Sequence, residues 1–334
     1  MFFTRNLIKK FNIFDNAKQT LKTSKRYYKY NIIDDLVNYK IVHLNVPKCY
    51  KNKKLVEVKS YSNNFDICSD LHIDYWNPRY NLKYPLSKII DRPFLWENED
   101  RNKYLIVAGN ISDDIDTSIN YLNNISIYYD YVLFIDGNHE HIEKYPSLYS
   151  ENKIYNKLKY INNNKLIYLS YTDFKINDTV IIGANGWWDY FNANEDIIKQ
   201  NLDYFNSWIP HLCETQTLYF TINSITRAQN NYNNLIRNIE KYQNDESINN
   251  IILVSHTPPC KNNCNPLNIA TEFNHKFDKI IESKYSKLNY WIYGHVHTKK
   301  IQYLKDIMYI CNPRGKPENY HKNSEEYKLF KLYL

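Results

Sequence analysis

Tyr131-Val132-Leu133-Phe134-Ile135-Asp136-Gly137-Asn138-His139-Glu140 decides how this chain is read. Five apolar, β-prone residues stop abruptly at a block of Asp, Gly, Asn, His and Glu. A continuous apolar run of this length suits a strand buried on both faces. The glycine that follows gives the backbone the freedom needed for a tight loop or a close approach. The chain has only six glycines in 334 residues, and four of them, Gly109, Gly137, Gly294 and Gly315, lie in polar blocks of this kind.

The same pattern recurs along the chain. Phe65–Cys68 runs into Ser69-Asp70-Leu71-His72, and Tyr104–Val107 into Ala108-Gly109-Asn110. Ile251–Val254 runs into Ser255-His256-Thr257-Pro258-Pro259, and Tyr290–Tyr293 into Gly294-His295-Val296-His297. Thr179–Ile182, Ile307–Cys311 and Tyr327–Leu334 read as further strands, while Asp113–Asn124 and Ser224–Tyr242 are long enough for crossover helices. The alternation predicts an α/β sheet sandwich, with the polar blocks converging at the carboxyl ends of the strands. Residues 1–59 read as a basic N-terminal extension, and 60–334 as one domain.

The net charge of +7 is confined to one place. Residues 1–30 hold eight Lys and Arg and one acid, Asp15, so residues 31–334 sum to zero. A basic groove across the domain is therefore not expected, and nucleic acid is not the favoured partner. The arm reads as a solvated extension, with targeting or partner binding as its alternatives. No apolar run approaches the roughly 20 residues of a membrane span. The six scattered cysteines suit reduced thiols and a cytoplasmic setting.

The polar residues at the expected strand ends are Asp70, His72, Asn110, Asn138, His139, His256, His295 and His297. Imidazoles, a carboxylate and amide oxygens together suit borderline divalent ions such as Mn²⁺, Fe²⁺ or Zn²⁺. Two such ions about 3.5–4 Å apart can clamp a phosphoryl group for in-line displacement.

In order and spacing, these blocks resemble the calcineurin-like metallophosphoesterases, over roughly residues 65–318. The Ser-Asp-Leu-His, Gly-Asn-His-Glu, Gly-His-x-His and Asn-Pro-Arg-Gly blocks are most similar to the small bacterial-type branch. The resemblance implies two mixed β-sheets flanked by helices and one or two divalent ions. Asp70, His72 and His297 would hold the first ion, and Asn138, His256 and His295 the second. His139 would protonate the leaving group or hold the phosphate together with Asn138. The ions would supply the nucleophile by lowering the pKa of bound water, and a small phosphate mono- or diester would be the substrate.

One departure stands out. The family's second block is Gly-Asp, whose carboxylate bridges both ions; here it is Gly109-Asn110. An amide offers one coordinating oxygen, a donor NH₂ and no charge. The expectation is one tight and one weak ion and an enzyme that is slow or inactive, with Asp113 or Asp114 as candidate substitutes for the missing carboxylate. A second reading therefore stands beside hydrolysis: a protein that keeps the fold and a metal but acts as a binding or scaffold module. Arg314 is a candidate phosphate ligand or a fold-closing ion pair. Asp74 and Glu140 are expected to orient histidines, and Trp187 and Trp188 to serve as core or as a substrate platform. Specificity is expected in the loops Trp76–Trp96, Trp187–Trp208 and Cys260–Phe273.

Overall fold

A computed structural model describes residues 53–75, 101–141, 150–201, 214–266, 268–316 and 327–334. The basic arm and the Trp76–Trp96 loop lie outside the described residues. The first strands are β1 (Lys54–Val58), β2 (Phe65–Cys68) and β3 (Tyr104–Ala108), followed by helix α1 (Ile115–Ile125). Next come β4 (Tyr131–Ile135), α2 (Ser150–Ile161), β5 (Leu166–Tyr168), β6 (Thr172–Ile176) and β7 (Thr179–Ala184). After α3 (Glu195–Gln200) and the long α4 (Glu214–Gln243), β8 (Asn250–Ser255), α5 (Phe277–Glu282), β9 (Leu288–Tyr293), β10 (Lys300–Leu304), β11 (Ile307–Cys311) and β12 (Phe330–Leu332) complete the order.

The strands form two mixed sheets. One runs β1-β6-β7-β8-β9-β11-β10, the other β12-β2-β3-β4-β5. The central strands of both sheets run parallel, and antiparallel pairs lie toward the edges, such as β10 with β11 and β12 with β2.

The strand period of two explains why the apolar runs are continuous. In β3, Tyr104, Ile106 and Ala108 face a core shared by the two sheets, while Leu105 and Val107 face α1. In β8, Ile252 and Val254 enter that same inner core, and Ile251 and Leu253 pack on the outer side with Leu235, Ile239 and Tyr242 of α4. Each such fully buried Leu, Ile or Val side chain contributes about 1.5–3 kcal/mol. α1 starts cleanly because Asp114 caps it, its carboxylate accepting from Thr117 N.

Lys54–Val58 falls inside the segment expected to be an extension, yet it is the edge strand of the larger sheet and pairs in parallel with β6. Its half-exposed, charged pattern hides it in the sequence, as edge strands often do. Lys53 anchors it. Its ammonium is buried and donates to the Leu169 and Gly183 carbonyls and, at 3.2 Å, to Asp173, which also accepts from Tyr242. Burial lowers the Lys53 pKa, and Asp173 offsets this in part. Lys53→Ala would leave the Asp173 carboxylate buried without its cation. We expect unfolding in urea to show a loss of about 3–5 kcal/mol; a loss under about 1 kcal/mol would mean the pair is not what anchors the strand.

Candidate metal centre

The polar blocks after β2, β3, β4, β8 and β9 meet at one end of the sandwich. Three of these blocks, those after β2, β3 and β9, hold the backbone in an uncommon state: φ is 49° at Asp70, 43° at His72, 55° at Asn110, 72° at His295 and 44° at His297. A non-glycine residue in this region costs on the order of 1–3 kcal/mol and persists only where its surroundings fix it. Hydrogen bonds between neighbouring loops do so here. Asp70 N donates to Gly109 O, His72 N to Asn110 O, Gly294 N to His256 O, and Gly315 N to Asp70 O. The glycines allow the loops to touch. A Cβ on Gly137 would lie 2.1 Å from Asn110 Oδ1, and one on Gly294 would lie 2.6 Å from Asp70 Oδ2.

Two groups of donor atoms result. In the first, His72 Nε2 and His297 Nε2 are 3.0 Å apart, and His297 Nε2 lies 3.6 Å from Asp70 Oδ1. In the second, Asn138 Oδ1 lies 3.0 Å from His256 Nε2 and 3.1 Å from His295 Nδ1. Burial lowers the pKa of His72, His256 and His295, and nearby histidines lower those of His72 and His295 further. These rings are therefore neutral at pH 7, which is the metal-binding form. His256 Nδ1 lies 2.9 Å from the Ala108 carbonyl, which can only accept, so the proton sits there and Nε2 is bare. The donor types at both groups fit borderline divalent ions.

The amide of Asn110, expected to be a ligand, is hydrogen-bonded at both ends. Its Oδ1 accepts from His139 N at 2.9 Å. A backbone N–H can only donate, so the amide orientation follows, and Nδ2 faces Asp70 Oδ1 and Asn138 Oδ1, each at 3.2 Å. The atom turned toward the donor groups is therefore an N–H donor, not a lone pair. Asp113 reaches this centre: with His72 and His139 it forms a further group whose donor atoms lie within 4.8 Å of one another. It lies 2.6 Å from His139 Nδ1 and accepts from Tyr75 Oη.

His139 stands beside the first group, its ring centre 4.6 Å from that of His72. Burial lowers the His139 pKa, and Asp113 raises it by hydrogen bond and charge. The sequence shows no direct sign of this partner beyond its spacing of three residues from Asn110. Lys316 was missed altogether. Its charge acts on His72 and His139, and its ammonium sits 4.3 Å over the Tyr75 ring. Arg314, the cation expected at the phosphate or in a fold-closing ion pair, follows Asn312 and Pro313 in the loop after β11; its backbone N–H donates to Ser69 O, and its charge also acts on Tyr121.

Asp74 and Glu140 hold loop backbone and not histidines. Asp74 accepts from Asp113 N and Ser112 Oγ. Glu140 accepts from the backbone N–H groups of Asn110, Ile111, Ser112 and Gly137 and from Ser118 Oγ. Trp187 and Trp188 are buried in a cluster with Tyr190, Ile198 and Phe220. Trp188 is also stacked on His295, with ring centres 5.6 Å apart, so it backs the site from inside the core.

The sequence profile of the calcineurin-like phosphoesterases matches residues 64–299, and the chain belongs to that family. No curated protein matches it. Among solved structures it is similar to the phosphopantetheinyl hydrolase of Mycobacterium tuberculosis, with 14% identity and a TM-score of 0.60, covering 80% of this chain and 95% of that one. It is also similar to GAP50, the anchor in the inner membrane complex of Plasmodium, with 10% identity and a TM-score of 0.35, covering 74% of this chain and 70% of that one. Among the described residues no helix is long and apolar enough to cross a membrane.

Glu140 yields a direct test. Burial pushes its pKa up to about 7, against the backbone donors that favour the ionised form. In Glu140→Gln an NH₂ would face either Asn110 N and Gly137 N or the Ile111–Ser112 donors. With about 1–3 kcal/mol for each buried donor left unmade, we expect a loss of about 2–4 kcal/mol in thermal or urea unfolding. A neutral result would show that these loops are held by other contacts.

Proposed function

We propose that this protein hydrolyses a small phosphate mono- or diester with the help of a divalent ion. The observation that carries this is the first donor group, Asp70, His72 and His297, beside the His139–Asp113 pair. When bound, the ion supplies Lewis acidity and a water of lowered pKa. Asp70 provides the one carboxylate among the proposed ligands, while His72 and His297 offer ring nitrogens. His139 is the proton donor to the leaving-group oxygen, held in place by Asp113 at Nδ1 so that Nε2 can serve the reaction. Lys316 brings positive charge to the same side and suits a phosphate oxygen. Mn²⁺, Fe²⁺ and Zn²⁺ all fit the donor types.

A second reading, a fold that keeps a metal but binds more than it catalyses, is favoured by one observation. Asn110 presents an N–H where a bridging lone pair would be needed. Hydrolysis of a bis-aryl phosphate diester and an aryl monoester with added Mn²⁺ separates the two. Activity that is lost in His256→Ala would support the enzyme. A silent wild type beside an active Asn110→Asp would support the binding module.

If His139 is the acid, His139→Ala should slow turnover about 10²–10⁴-fold. The pH profile gives a sharper test. Asp113 raises the His139 pKa, so Asp113→Asn should lower it. An acid must be protonated, so activity falls as pH rises through its pKa, and the alkaline limb should move to lower pH in Asp113→Asn. An unmoved limb would remove His139 from the acid role.

A further inference from the structure

The second donor group is formed but carries no charge. His256 Nε2, His295 Nδ1 and Asn138 Oδ1 converge within 3.1 Å of contact. His256 gives its N–H to the Ala108 carbonyl, and the His295 ring is hydrogen-bonded to the Thr271 backbone. Both rings therefore turn a bare nitrogen toward the Asn138 oxygen. That oxygen is itself fixed. His139 N–H sets Asn110, and Asn110 Nδ2 donates to Asn138 Oδ1, so the Asn138 carbonyl faces the imidazoles. Lone pairs facing one another at this distance repel, and a cation between them would relieve the repulsion.

Asp70 and Asp136 are the carboxylates among the leading charges that act on His256. Asp70 belongs to the first group and accepts from His295 N. Asp136 is taken by His141, Tyr168 and Asn185. Asp113 is taken by His139 and Tyr75. A second dication at this centre thus meets neutral ligands on its own side and the charge of the first ion on the other. Two dications repel four times as strongly as two unit charges at the same distance.

Resting on the phosphoesterase reading above, we infer that the phosphoryl group itself supplies the bridging negative charge that Asn110 lacks, so the second ion and phosphate bind this centre together. A free phosphate and a phosphate ester share the relevant chemistry, non-bridging oxygens with one or two negative charges. Asn110 then acts as a positioning residue that aims the Asn138 carbonyl and leaves the bridging place open to the ligand. Linkage makes the effect reciprocal: whatever factor phosphate adds to the second ion's affinity, the ion adds to the affinity for phosphate.

The test uses the full chain stripped of metal and dialysed to equilibrium against buffered Zn²⁺, with and without inorganic phosphate, counting ions per chain. Without phosphate, we expect one tightly bound ion and a second at least tenfold weaker. Saturating phosphate should tighten the second by tenfold or more and leave the first within about twofold. Asn110→Asp, which keeps an oxygen for His139 N–H and offers another inward, should bind two ions without phosphate. His256→Ala should keep the first ion and lose the phosphate-dependent one. Two equally tight ions in the wild type without phosphate would overturn the inference, as would a second ion indifferent to phosphate. If no ion binds at all, the phosphoesterase reading falls as well; if one binds, hydrolysis is seen and phosphate recruits no second, only this inference falls.

Discussion

One buried carboxylate sets the geometry on which the site depends. Glu140 accepts four backbone N–H groups and a serine hydroxyl, and these come from the loop after β3, the loop after β4 and helix α1. The loops must be brought this close because Asn110 and Asn138 act on each other across them. A closely approaching backbone leaves polar groups with no access to water, and a buried donor without a partner costs about as much as a lost hydrogen bond. Glu140 meets that cost in one place. The left-handed backbone at Asn110 is held partly by this carboxylate, which receives its N–H, and by His72 N, which donates to its carbonyl.

From this support the donor atoms follow in sequence. The loops fix the His139 backbone, His139 N–H fixes the Asn110 amide, and Asn110 fixes the face that Asn138 presents. Substituting an amide for a carboxylate in this chain of contacts changes more than one ligand. It leaves the packing intact, because the amide keeps the hydrogen bond to His139. It removes a charge and replaces an inward lone pair with a donor. The centre is therefore well shaped and under-charged, a combination that separates fold retention from metal affinity.

Much of this was legible in the sequence. The runs Phe65–Cys68, Tyr131–Ile135 and Ile307–Cys311 are strands with those same bounds. Long apolar runs announce themselves because they are buried on both faces. The edge strands β1 and β10 and their inner neighbour β6 were not flagged, since strands such as Lys300–Leu304 carry mixed polar and apolar residues. Helix α4 begins at Glu214, ahead of the Ser224 start read from the sequence. The sequence also led to the gathering of Asp70, His72, Asn110, Asn138, His139, His256, His295 and His297, because each follows a strand that must run the same way.

Directions and partners were a different matter. Residue types and their spacing determined the fold, the family and the set of polar residues at the strand ends, because hydrophobic periodicity and glycine placement are local properties of the chain. Only the tertiary structure decided that Asp113 serves His139, that Glu140 serves backbone and not a histidine, that the charge of Lys316 reaches His72 and His139, and that the Asn110 amide turns its nitrogen inward. Each of these depends on which donor lies opposite which acceptor across two loops distant in sequence. A hydrogen bond has a direction, and that direction is set only when both partners are in place.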